Sequence, residues 1–103
     1  ALTDAQGRGL LAVGRQPLEV SAHHYTAEDF TAARHTHELK RREEIILNLD
    51  ARQAGLGGAS CGPGRLPQYL VLPEETRFAI RWVPLLPGGP GPVALSKAWP
   101  EHI

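Results

Sequence analysis

Apolar and polar positions in this chain alternate mostly with a period of two. Leu10 to Val13 is a short apolar run between Gly9 and Gly14 and reads as a buried strand. After Pro17, Leu18, Val20 and Ala22 alternate with Glu19, Ser21 and His23, which predicts a strand with one buried face. The strongest strand lies in "EIILNLDARQ", where Ile45, Leu47, Leu49 and Ala51 share one face and Ile46, Asn48, Asp50 and Arg52 the other. "QYLVL" and "TRFAIRWVPL" read as two more strands, the second with Phe78, Ile80 and Trp82 on a common face. Pro73 and Glu74-Glu75 mark the turn between them. One stretch breaks the period. In "YTAEDFTAARH", Thr26 can cap the amide of Asp29, and Asp29 can answer as the acid of a capping box. Tyr25 and Phe30 occupy the two positions of a hydrophobic staple, so a helix is predicted from Ala27 to Ala33. Glu28 and Asp29 suit the positive end of its dipole. "HELKRREE" reads as a solvated connection. From Pro84 onward, "PLLPGGPGP" cannot hold a central strand, and residues 84–103 are read as a Pro/Gly-rich tail with no assigned element. The fold class predicted is mostly β, with one short helix crossing between strands.

Composition narrows the possibilities. A length of 103 residues allows one domain or a piece of one. Eleven basic and eleven acidic residues cancel, so no net field draws the chain to nucleic acid or to an anionic membrane. Cys61 is the single cysteine, which excludes an internal disulfide framework and any CxxC motif. No apolar run approaches the roughly 20 residues needed to span a bilayer, and no signal-peptide pattern opens the chain. The absence of methionine points to a chain cut from a longer one.

The candidate chemistry centres on "AGLGGASCGPG", residues 54–64, where glycine and proline surround a Ser60-Cys61 pair. A phosphate-binding loop needs its glycines to open a helix at once; here Leu66-Pro67 and an expected strand follow instead. Cys61 as a nucleophile would need a base and a lowered pKa, and no local signature supplies either; the plain reading is a small residue at a loop tip. Among the histidines, His23 and His24 point to opposite faces of a strand. His35 and His37 diverge if helical and share a face only if extended, so hydrogen-bonded structural roles are expected of them and of His102, and no metal site is assigned. The carboxylates form no acid–base pair. Asp50 is the exception in placement: it ends the strongest strand directly before the glycine loop, where it could accept hydrogen bonds from loop amides, and a loop-organising role is expected. Trp82 and Trp99 are too isolated to form a stacking platform for nucleic acid.

Several segments together resemble the last part of a bacterial β-galactosidase of glycoside hydrolase family 2. These are Asp4-x-x-Gly7-x-Gly9-Leu10, the passage Ser21-x-His23-x-Tyr25-Thr26, His35-x-His37-Glu38-Leu39, and Leu49-Asp50-x-x-Gln53-x-Gly55-Leu56-Gly57-Gly58-x-Ser60. The resemblance runs from residue 1 to about Val83, with order and spacing kept. It implies that residues 1–83 are the C-terminal part of an antiparallel β-sandwich, itself part of a mutarotase-like supersandwich. In such multidomain enzymes two glutamates of a TIM barrel hydrolyse terminal β-D-galactosides with retention; those glutamates are absent here, so no catalytic residue is assigned and the chain alone is expected to be inactive. The loop at Gly57, Gly58, Ala59, Ser60 and Cys61 is expected to border the sugar site of the parent enzyme. Some members place a tryptophan at the position of Cys61, and a cysteine offers a sugar ring far less stacking area.

The resemblance further implies no cofactor in this chain, magnesium and sodium belonging to the parent enzyme. The partners it implies are the remaining domains of that enzyme, a galactoside or acceptor sugar, and further copies in a homo-oligomer; no nucleic acid or membrane partner is expected. A cytoplasmic location is expected from family habit and the missing signal peptide. Two other functions fit the residues: an independent carbohydrate-binding or mutarotase-like module, against which the 6% aromatic content weighs, and a purely structural or oligomerisation piece.

Overall fold

A computed structural model describes residues 1–55 and 58–99. Its elements are strands β1 (Leu2–Thr3), β2 (Gly9–Gly14) and β3 (Glu19–His23), helix α1 (Ala27–Ala32), strands β4 (Ile46–Asp50) and β5 (Ile80–Leu85), and helix α2 (Pro92–Lys97). Two single-turn 3₁₀ segments occur at Thr36–Glu38 and Pro67–Tyr69. The fold is mostly β, and all strand pairings are antiparallel. The chain divides into two compact units, residues 1–17 with 74–103, and residues 18–73.

The first unit holds a three-stranded sheet in the order β1-β2-β5. Its opening turn explains the Asp-x-x-Gly-x-Gly spacing. The Asp4 carboxylate accepts the amides of Gln6 and Arg8, each at 2.9 Å, and Arg8 Nε donates to its other oxygen at 2.8 Å. Gly7 takes a φ of +81°, a region that side chains disfavour. Gly9 lies so close to β1 that a Cβ would come within 1.9 Å of the Leu2 carbonyl oxygen. The turn and the first strand pair are therefore fixed by local chemistry.

Register places Leu11 opposite Val83, Val13 opposite Arg81 and Gly9 opposite Leu85, so these side chains share one face. Helix α2 packs on β2, and Arg81 donates through its guanidinium to the Leu95 carbonyl and lies over the Trp99 ring at 5.7 Å. Leu11 and Leu85 are the buried residues among those described. Within β5, Ile80 and Trp82 lie on one face, with Trp82 half exposed, whereas the alternate face meets α2 through Arg81. Both faces of β5 carry large apolar residues, Val83 and Leu85 standing beside Arg81 on the covered one, and alternation alone cannot say which face a helix covers. Thr76 to Ala79 precede the strand rather than belong to it. Pro84 lies within β5, a place proline can take because this strand forms an edge of the sheet. The tail thus contains a second α-helix, with Pro92 at its first turn.

The second unit holds the two-stranded sheet β3-β4, whose register pairs Val20 with Leu49 and Ala22 with Leu47. The two predicted apolar stripes therefore meet on one face, which is left largely open, Val20 being 61% exposed. On the other face Asn48 donates to Ser21 Oγ across the strands at 3.0 Å. The helix start is as predicted. Thr26 Oγ1 accepts from the Asp29 amide at 3.1 Å, Asp29 returns the bond to the Thr26 amide at 2.9 Å, and Tyr25 and Phe30 sit with ring centroids 5.5 Å apart. The strand predicted over "QYLVL" is absent. Pro67 fixes the first φ of a tight turn, which the bonds Tyr69 N–H to Leu66 O (2.9 Å) and Leu70 N–H to Pro67 O (3.1 Å) close.

Candidate functional site

The glycine loop follows β4 in the second unit. Asp50 closes the strand, and its carboxylate accepts from the Gln53 side-chain amide at 2.5 Å. The described partner of Asp50 is thus a side chain three residues on rather than a loop amide, which gives the Asp-x-x-Gln spacing a physical meaning. Leu56 and Gly57 lie outside the described residues, so Gly57 has no structural account here. Gly58, Ala59, Ser60 and Cys61 are all exposed.

Ala59 adopts φ +62°, the left-handed region, which costs a residue with a Cβ roughly 1 kcal/mol per position. The surrounding turn sustains it: the Ala59 amide donates to the Pro63 carbonyl at 3.2 Å, closing the tip around Ser60, Cys61 and Gly62. Arg65 then ties the two limbs. Its Nη1 donates to the Gly55 carbonyl at 3.1 Å, and its aliphatic stem fills the space beside Gly58, where a Cβ would stand 2.7 Å from Arg65 Cγ. Cys61 carries a free, exposed thiol. Sequence reasoning passed over Arg65; its only signal was a cation in an otherwise uncharged loop.

The charged connection after α1 is not simply solvated. Arg42 grips both oxygens of Asp29, at 2.6 and 2.9 Å, while its own amide donates to the His24 carbonyl at 3.0 Å. This guanidinium, together with the Thr26 amide, holds the Asp29 carboxyl far below its ordinary range. The His24 ring lies between Arg41 Nη2, 2.8 Å from Nε2, and the Glu44 carbonyl, 3.1 Å from Nδ1; the neutral ring with its proton on Nδ1 satisfies both contacts. Glu38 Oε2 accepts the amides of Arg34 (2.7 Å) and His35 (3.4 Å), and the His35 and His37 rings stack in parallel with centroids 5.7 Å apart. His23 packs edge-on against Phe30 at 5.0 Å. Among the described residues no three of His, Cys, Asp and Glu gather as a metal site would require. None of the described helices is long and apolar enough to cross a membrane.

Of the described carboxylates, Asp4, Asp29, Glu38 and Glu75 are held in turns, caps and ion pairs, while Glu19 and Asp50 stand on strands, and residues 58–64 of the loop are exposed.

Comparison with known proteins fits these features. The family described as β-galactosidase small chain matches residues 1–82. A β-galactosidase of Arthrobacter sp. (strain B7) is 39% identical over 70 residues, 68% of this chain and 7% of that protein. One from Actinobacillus pleuropneumoniae is 31% identical over 77 residues, 75% of this chain and 8% of that protein. A third, from Vibrio vulnificus (strain YJ016), is 29% identical over 68 residues, 65% of this chain and 7% of that protein. The chain thus spans less than a tenth of the length of these relatives. No solved structure matches it. With the matched region running from β1 through the glycine loop into β5, the chain belongs to the β-galactosidase small-chain family.

Proposed function

We propose that this chain is an accessory, β-rich portion of a β-galactosidase of glycoside hydrolase family 2, from the C-terminal part of the enzyme. Its partners are the remaining domains, which supply the catalytic glutamates for hydrolysis of terminal β-D-galactosides. The observation that carries this reading is the family match over residues 1–82, in a chain that spans less than a tenth of its β-galactosidase relatives. Thin burial supports it. Only Leu11 and Leu85 are buried among the described residues, while Leu10, Val20, Phe78 and Trp82 are exposed, as expected of strands whose second cover comes from elsewhere. Two antiparallel sheets are suited to a share of a larger β-sandwich, here taken as the mutarotase-like supersandwich of this enzyme class.

Within that enzyme, the tip at Gly57, Gly58, Ala59, Ser60 and Cys61 borders the sugar site and meets the leaving or acceptor sugar, with Asp50 organising the base of the loop through Gln53. The loop's exposure and its tied, outward-facing tip support this assignment. Magnesium or sodium, a cytoplasmic location and assembly of the enzyme into homo-oligomers belong to the same proposal, and no described residue cluster of this chain is assigned to either ion.

Two measurements test the proposal. Assayed alone on a chromogenic galactoside, the chain should give no turnover; measurable hydrolysis abolished by substitutions within these residues would overturn the accessory role. In the full-length enzyme, Cys61→Trp should tighten glucose as an acceptor by giving the sugar an aromatic face, and an unchanged acceptor affinity would remove Cys61 from the site.

A further inference from the structure

The glycine loop has few means of holding a shape. Glycine gives the backbone freedom, Ser60 and Cys61 are exposed, and no described residue of this unit is buried. A tip that meets a ligand must nevertheless be presented in one place, because a loop that samples many conformations loses affinity to ordering. Arg65 makes the long-range ties among the described loop residues. Its Nη1 reaches the Gly55 carbonyl across ten positions of sequence, at 3.1 Å. Its stem occupies the volume beside Gly58, so this glycine is the counterpart of the arginine: a Cβ there would stand 2.7 Å from Arg65 Cγ and 3.5 Å from its backbone nitrogen. Inside that frame the Ala59-to-Pro63 bond closes the tip, with Ala59 in its left-handed conformation. Without the guanidinium, the next tie that joins the two limbs is the bond from Arg52 Nη2 to the Leu70 carbonyl at 3.5 Å, so the free segment between ties lengthens from residues 55–65 to residues 52–70 and its closure entropy grows.

We propose that Arg65 is the positioning residue of the Ser60-Cys61 tip, acting through the Gly55 carbonyl and the notch at Gly58, and so sets how firmly the loop meets an acceptor sugar. The second half of this statement rests on the sugar-bordering role proposed above; the first does not. Arg65 touches no reacting atom in this reading and adds no chemical step.

Cys61 is the only cysteine of the chain and is exposed, so a nitroxide attached to it reports the tip without any engineered site. In the 103-residue chain, Arg65→Ala should shorten the label's rotational correlation time by about twofold or more, as a tethered tip passes into the faster motions of an open loop. Gly58→Ala should act in the same direction by displacing the arginine stem. Arg65→Lys, which keeps a cationic donor, should restore most of the order, and Arg77→Ala, which removes an exposed guanidinium of the other unit, should leave the label unchanged. Circular dichroism of each variant confirms that the strands persist. An equally immobile label in Arg65→Ala would overturn the proposal.

The companion measurement uses the full-length enzyme with glucose as acceptor. Arg65→Ala should raise the glucose concentration needed for half-maximal transfer by about threefold or more while hydrolysis kcat stays the same, as expected when binding of one partner alone is weakened. A loosened tip with unchanged transfer would leave the positioning role of Arg65 standing and remove the loop from the sugar site.

Discussion

The two units of this chain hold together by different means. In the first, Leu11 and Leu85 are buried, α2 covers the Leu11/Val83 face, and a glycine lies against a carbonyl where nothing larger fits. In the second no described residue is buried, and the ties are charged: Asp29 to Arg42, His24 to Arg41, Glu38 to two amides, and Arg65 to Gly55. The difference teaches that a strand pair can hold its register by periodicity while its connections are held by a few guanidinium contacts. The first unit should therefore respond to changes in volume, and the second to changes in charge and salt.

The largest test of this contrast is Leu11→Ala, expected to destabilise the first unit by about 2–3 kcal/mol through lost burial and the cavity left behind. Trp82 and Trp99 both lie in that unit, so thermal unfolding followed by tryptophan fluorescence reads it selectively. A melt unchanged from the parent chain would mean that α2 does not create a working core. Gly9→Ala comes next. Its Cβ would meet the Leu2 carbonyl at 1.9 Å, so β1 must move, at a cost of about 1–3 kcal/mol. The expected signature is faster amide exchange at Leu10, measured by NMR.

Arg42→Ala should then act on the second unit alone, speeding exchange of the α1 amides while the fluorescence melt stays in place. High salt should mimic it in the unmodified chain, since both partners are partly solvent-exposed. If salt shifts both units equally, the contrast fails. Acid provides a finer probe. The Asp29 carboxyl sits below its ordinary 3.8 when folded, so its stabilising contribution is complete above that value and is lost only as pH falls through the lower folded value. Asp4 follows the same sign, held down first by the Arg8 amide. The bonded Arg42 Nε–H resonance should thus persist to about pH 3, and its disappearance near pH 4 would show the clamp to be weaker than its geometry. Smallest of all, Arg77→Ala should leave both units within error, because Arg77 and Glu75 are largely exposed neighbours.

The parts of this fold that were legible in the sequence are those written in short spacings. The capping box needs only residues three apart, and Thr26, Asp29, Tyr25 and Phe30 could be paired on sight. The stripes of β3 and β4 followed from a period of two, and register brought them to one face. Three things escaped, two because they depend on distant partners and one because a local proline overrides strand composition. The covered face of β5 is chosen by α2 and Arg81, not by β5 itself. "QYLVL" has strand composition, but Pro67 ahead of it favours a tight turn. Asp29 finds Arg42 thirteen residues away, at a spacing that no local rule anticipates. The site shows the same division. The loop and the place of Asp50 before it were visible as composition, whereas Arg65 became visible only when the chain was folded back on Gly55.

One thiol per chain sets a limit on how copies can be joined covalently. Cys61 stands at an exposed tip and has no second cysteine to pair with, so air oxidation can couple two molecules and then has nothing further to couple. On a non-reducing gel the chain should give a single band of doubled mass and no ladder, and reductant should return it entirely to monomer.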